Sequence, residues 1–180
     1  MRPALHLALL CTLVPAWATT LEKLSVDEMV QKSTAIVRGR SLGSATTQRG
    51  SVIYTVYRLQ VSAVLKGSLT PGVTTEVYVP GGIYGRYHQS FAGSPTLNPG
   101  TDYVVFLWTS PRGTTQVIGL GQGVFEVKLS SSGEPVLSRG PLEADMVDGT
   151  GRSVNDQGLK LTLDRLQQRV RALLPRREVR

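Results

Sequence analysis

From Val52 to Lys66 the sequence alternates: Ile53, Thr55, Tyr57, Leu59, Val61, Ala63 and Leu65 fall on one face, and Arg58, Gln60, Ser62 and Lys66 on the other. A period of two kept over that length does not suit a helix, whose apolar positions recur every three to four residues. It requires one long strand with a core on one side and water on the other. The rest of the chain must therefore supply a sheet around that strand.

Four further segments read as strands. Thr34 to Leu42 begins apolar, Thr75 to Val79 alternates, and Tyr103 to Trp108 is apolar on both faces, as in a central strand covered on both sides. Gln116 to Leu129 is interrupted by Gly119, Gly121 and Gly123, which mark a bulge or the sharp bend of a barrel corner. Five strands, one long and one bent by glycine, predict a mainly β fold. The expected architecture is a five-stranded Greek-key barrel of the oligonucleotide/oligosaccharide-binding kind, with an open sandwich as the alternative. A short strand is expected at Val136 and Leu137.

Two helices flank this sheet. Ser25 and Glu28 form a capping box, with Leu24 and Met29 placed for a hydrophobic staple, so a short helix is expected over about 26–33. Val26, Met29 and Val30 would plug one end of the sheet. Near the C-terminus, Thr162 can cap a helix, Asp164 suits its positive end, and Leu163, Leu166, Val170, Leu173 and Leu174 recur at helical spacing until Pro175. This amphipathic C-terminal helix would dock on the barrel. Residues 140–158 read as a flexible connection before it.

The first 18 residues have Arg2 near the start, an apolar stretch from Ala4 to Trp17, and small residues at Ala16 and Ala18. That is the pattern of a cleaved secretory signal peptide, with a mature chain from about Thr19. The stretch is too short, and Pro15 too disruptive, for a spanning anchor. The expected organisation is thus a signal peptide over 1–18, a β-barrel domain with its N-terminal helix over 19–139, the connection over 140–158, and the C-terminal helix with a basic tail over 159–180. Cys11 is the single cysteine and lies in the leader, so the mature chain has no disulfide and no thiolate. A secreted or periplasmic bacterial protein fits that composition.

The net charge of +7 is concentrated at the end: Lys160 to Arg180 holds seven basic residues against Asp164 and Glu178. A basic tail gives a weak contact with an anionic surface or else is a solvated helix face. No specific nucleic-acid binding is expected, and the mature chain shows no transmembrane segment.

Catalytic chemistry has little to work with. His6 belongs to the leader, which leaves His88 without a cysteine or a marked serine as partner. One histidine and no cysteine exclude the usual zinc sets, and Glu143, Asp145 and Asp148 sit in a polar connection without the order of ligands of a calcium loop. Glu76, Asp102 and Glu126 lie in or beside strands, with nothing to pair two of them for glycoside hydrolysis. Neither a metal nor another cofactor is expected.

The segment 81–95 (GGIYGRYHQSFAGSP) gathers Tyr84, Arg86, Tyr87, His88 and Phe91 between glycines. Such rings supply contact area at binding sites, and loops carry function more often than cores do. The competing reading has the rings fold back over an open barrel end and bury themselves.

The order TAIVRGR, YTVYRLQVSAVLKG, VYVPGG, NPGTDYVVFL and GQGVFEV resembles a group of poorly characterised secreted bacterial proteins and, more remotely, the netrin-type barrel of the tissue inhibitors of metalloproteinases. The resemblance covers about residues 30–130. It implies a barrel used for protein or ligand contact rather than catalysis. Those inhibitors place an N-terminal cysteine on the protease zinc and brace the barrel with disulfides; here Thr19 and no cysteine are available, so zinc-directed inhibition does not carry over. The expected function is a non-enzymatic binding module for a protein or polysaccharide ligand, with Tyr84, Arg86, Tyr87, His88 and Phe91 as contacts. The rivals are an envelope-associated protein held by its basic tail and an unrecognised hydrolase.

Overall fold

The computed structural model describes residues 20–174. The signal-peptide reading of residues 1–18 and the tail arginines Arg176, Arg177 and Arg180 therefore lie outside the described residues. In chain order the elements are β1 (Leu21–Glu22), α1 (Val26–Lys32), β2 (Ala35–Arg49), β3 (Val52–Lys66), β4 (Thr74–Pro80), β5 (Gly82–Tyr84) and β6 (Tyr87–Gln89). There follow β7 (Asp102–Thr109), β8 (Thr115–Val117), a 3-10 turn over Leu120–Gly123, β9 (Val124–Leu129), β10 (Pro135–Arg139), β11 (Met146–Val147), β12 (Ser153–Val154), β13 (Leu159–Thr162) and α2 (Leu163–Leu173). The fold is mainly β.

One large sheet runs in the order β13-β10-β9-β7-β2-β3-β4-β8, and β8 also pairs with β7. The strands β7, β2, β3, β4 and β8 thus follow one another around a ring. Its seams are unequal: β8 meets β7 over three residue pairs but meets β4 only at Tyr78↔Gln116. The expected single strand from Gln116 to Leu129 is two strands, because the backbone turns at Gly119 (φ +62°) and again through Leu120–Gly123. Its first half pairs with the end of β7 and reaches β4, and its second half pairs with the start of β7 and carries the sheet on to β10.

The alternation in β3 holds over Tyr57, Leu59 and Val61, which pack into the core inside the ring. Past Ser62 the expected parity fails: Val64 joins the inner core, while Leu65 packs on the outer face. Register shifts against β2 at Arg38/Gly39 and Ile36/Val37 each insert an extra residue into β3. Such bulges bend a strand and re-aim its side chains. A third shift, at Ser41/Gly43, leaves Leu42 exposed on β2.

The apolar strand β7 serves two cores, as its composition requires. Tyr103, Val105 and Leu107 point inward, whereas Val104 and Phe106 meet α1 and α2 on the outer face, where Phe106 lies 5.8 Å from the Phe125 ring. The capping box on α1 forms as expected, with Ser25 N–H donating to Glu28 Oε2 and Glu28 N–H to Ser25 Oγ. Its Val26, Met29 and Val30 do not plug an end of the sheet; they pack on its outer face beside Leu166 and Val170 of α2. Lys66 donates from Nζ to the carbonyls of Val30 and Gln31, capping the negative end of α1.

Residues 140–158 carry regular pairing. β11 is sandwiched between β12 and β1, the latter in parallel. Asp156, whose side chain is 2% exposed, forms a two-pronged ion pair with Arg139 and also accepts the Leu142 N–H. Gln122 ties the start of the chain to the glycine corner: its Oε1 accepts the Leu24 N–H at 2.8 Å and its Nε2 donates to the Glu22 carbonyl at 2.9 Å. Gly119, Gly121 and Gly123 are therefore parts of the frame.

Candidate functional site

Where β4 ends, Gly81 (φ +108°) and Gly82 (φ +130°) lead the chain off the large sheet into a hairpin, β5–β6. A Cβ on Gly82 would lie 2.7 Å from Thr55 Oγ1 and 3.1 Å from Thr46 Cγ2, so glycine is what lets the hairpin root press on the β2–β3 pair. The two residues between the strands are Gly85 and Arg86. Gly85 has φ +59°, the sign that the first central position of a type II′ turn needs.

The root is fastened by four hydrogen bonds. Gly81 N–H donates to the Ile53 carbonyl at 2.8 Å, and Thr55 Oγ1 donates to the Gly81 carbonyl at 2.8 Å. Gln89 acts as a substitute rung at the start of β3, accepting the Ile53 N–H at 2.7 Å and donating to the Ser51 carbonyl at 2.8 Å. Each of these groups would otherwise be an unpaired peptide unit at a strand end. The hairpin is thus held at its base while its outer part stands clear of the ring.

That outer part is open. Ile83, Tyr84 and Tyr87 are 63%, 45% and 57% exposed. Tyr84 and Tyr87 are cross-strand partners and so share one face; Ile83 and His88 share the other. Arg86 Nη2 donates to Tyr87 Oη at 3.2 Å, with the guanidinium carbon 5.3 Å from the ring centroid. Of the sequence candidates, Tyr84, Arg86, Tyr87 and His88 come together on this hairpin. Phe91 does not join them: it is half-buried at the root, within reach of Gly81. A cleft of about 270 Å³ lies there, lined by Thr55, Gly82, His88, Gln89 and Phe91 among others.

Two contributors are not legible in the sequence. Ile83, exposed on the hairpin's other face, is a single aliphatic residue in a glycine-rich loop and carries no motif. Gln89 matters through a contact with residues far earlier in the chain, which local reading does not register.

Asp102, Glu76 and Glu126 are separately engaged. Asp102 accepts from Arg38 at 3.3 Å and Arg40 at 3.0 Å, and the hydrogen bond from Arg40 leads in holding its carboxyl below the usual range. Glu76 accepts the Tyr78 hydroxyl at 3.0 Å, and Glu126 pairs with Lys128 at 3.0 Å. Among the described residues no group of three or more His, Cys, Asp or Glu could hold a metal ion, and no helix is long and apolar enough to cross a membrane. A groove of about 690 Å³, walled by Tyr103, Glu126, Lys128, Arg139 and Lys160 among others, shares Pro95 and Thr96 with the cleft at the hairpin root. Of the residues weighed in the sequence it contains Glu126, and none of Tyr84, Arg86, Tyr87, His88 and Phe91. Comparison of the chain with protein-family models, curated proteins and solved structures finds no match.

Proposed function

We propose that the protein is an exported, non-enzymatic binding module in which the ring of β7, β2, β3, β4 and β8 works as a five-stranded barrel of the oligonucleotide/oligosaccharide-binding kind and the β5–β6 hairpin is the contact surface. The observation that carries this reading is the contrast between a pinned root and an exposed tip. Tyr84 and Tyr87 bring large, stiff rings with a polar handle, the residue type favoured where one protein meets another. Because the root is already ordered by Gln89, Thr55 and Gly81, little conformational freedom is lost on binding. The signal-like leader supports export, and the resemblance to netrin-type barrels supports a contact role.

The test is capture. The chain from Thr19, immobilised and exposed to envelope and medium of the source organism, retains a specific partner, and the Tyr84→Ala/Tyr87→Ala chain does not. Equal retention by both chains, or by neither, overturns the assignment of the hairpin.

A further inference from the structure

We infer that the segment docking on the hairpin is an acidic stretch of polypeptide. This rests on the reading of the hairpin as the contact surface and adds the chemistry of its partner. Charge is divided along the chain in a way that the nearly neutral body conceals. Between Met29 and Phe125 there are eight basic residues and only two acids, Glu76 and Asp102. The remaining acids of the described residues lie before or after this stretch.

Both acids are occupied. Asp102 is shared by Arg38 and Arg40, and Glu76, although opposite Arg58 in register, turns its carboxylate to the Tyr78 hydroxyl. Lys66 caps α1 and Lys32 lies 3.8 Å from Glu22. Arg49, Arg58, Arg86 and Arg112 are left without a carboxylate partner among the described residues. Arg49 instead packs over Tyr78, 4.2 Å from the centroid, and donates to Tyr78 Oη and Thr114 Oγ1. It belongs to the β2–β3 tip to whose Ser51 carbonyl Gln89 bonds. One arginine without a carboxylate partner, Arg49, thus stands at the tip to which the hairpin root is bonded, and the hairpin's own turn adds a second, Arg86.

A guanidinium beside a phenol offers paired donors that match a carboxylate, and unscreened cations steer an anionic partner. Two features favour polypeptide over another polyanion. Ile83, on the face of the hairpin opposite Tyr84 and Tyr87, gives apolar surface that an extended chain wrapping the edge would cover with an apolar group. Among the described residues the hairpin is also a two-stranded sheet with no third strand, so an edge is open to the peptide groups of an extended chain.

The probe is the random copolymer poly(Glu,Tyr), titrated into the full chain, with poly(Lys,Tyr) and polygalacturonate as comparisons. Poly(Glu,Tyr) is expected to bind. Its affinity should fall about tenfold from 25 to 200 mM NaCl, and about two- to fivefold in Arg86→Gln, with partial recovery in Arg86→Lys. Binding of poly(Lys,Tyr) as tight, indifference to Arg86→Gln, or failure to bind poly(Glu,Tyr) overturns the inference. Equal affinity for polygalacturonate overturns its polypeptide part. Should poly(Glu,Tyr) fail while capture still depends on Tyr84 and Tyr87, the hairpin remains the contact surface and only the acidic partner is lost.

Discussion

Replacing Asp156 by Asn should unfold more than a connection. The side chains of Arg139 and Asp156 are 8% and 2% exposed, and the carboxylate also accepts the Leu142 N–H. Taking away one charge leaves a guanidinium in a dry site without its counter-ion, at about 3–5 kcal/mol. Arg139→Met exposes the carboxylate to the same cost, whereas Arg139→Met/Asp156→Asn removes both charges and should cost far less than the sum. For a domain of this size each kcal/mol moves the thermal midpoint by about 2–4 °C, so either single change should lower it by about 6–20 °C. Burial pushes the Asp156 carboxyl up, but the hydrogen bonds from Arg139 and Leu142 and the charge of Arg139 outweigh it, and the net direction is down. A carboxyl lowered in the folded state contributes fully above its unfolded value of about 3.9 and loses that contribution as pH falls through the folded value. The wild-type chain should therefore lose stability on acidification below about pH 4, and Asp156→Asn should flatten that limb. Urea unfolding of the four chains at pH 7 and across the acid range reads both effects. Single variants within about 1 kcal/mol of wild type, or a double variant as unstable as the sum, would refute the reasoning.

Three more outcomes follow from particular contacts. Gln122→Leu strands the Leu24 N–H and the Glu22 carbonyl, and should cost about 2–4 kcal/mol in urea unfolding while amide exchange accelerates over residues 21–24. Gly39→Ala places a Cβ 2.6 Å from the Gln60 carbonyl oxygen and 2.9 Å from Leu59 Cγ, so the β2–β3 pair must shift, at about 1–3 kcal/mol by the same assay. Tyr84→Ala/Tyr87→Ala removes exposed rings and should move the thermal midpoint by less than about 2 °C; a large fall would mean that the rings are packed.

Local rules were enough for some of these elements and powerless for others. The α1 cap was legible because Ser25 and Glu28 bond to each other's backbones, and the α2 stripe because Leu166 and Val170 need only their own spacing to share a face. The two-sided burial of β7 was likewise written in Tyr103 to Leu107, although Trp108, expected to be covered with them, is exposed. What escaped depends on register between distant segments. The bulges around Ser62 and Leu65 exist only relative to β2, so nothing in the alternation of β3 announces that Leu65 leaves the inner core. The parallel pairing of β1 with β11 joins residues more than a hundred positions apart, and it gives the polar 140–158 segment a partner that its composition does not suggest. At the site, ring-bearing residues between glycines revealed the tip. The root did not show, because Gln89 completes a strand that begins at Val52.

The central claim is that the partner is held by the hairpin, and amide hydrogen exchange tests it most directly. The chain is measured alone and bound to the partner that it captures. The account predicts slowed exchange over residues 82–89 and at the adjoining β2–β3 tip, with the rest of the large sheet unchanged. Protection confined to the groove between β9, β10 and β13, with residues 82–89 exchanging as in the free chain, would contradict it.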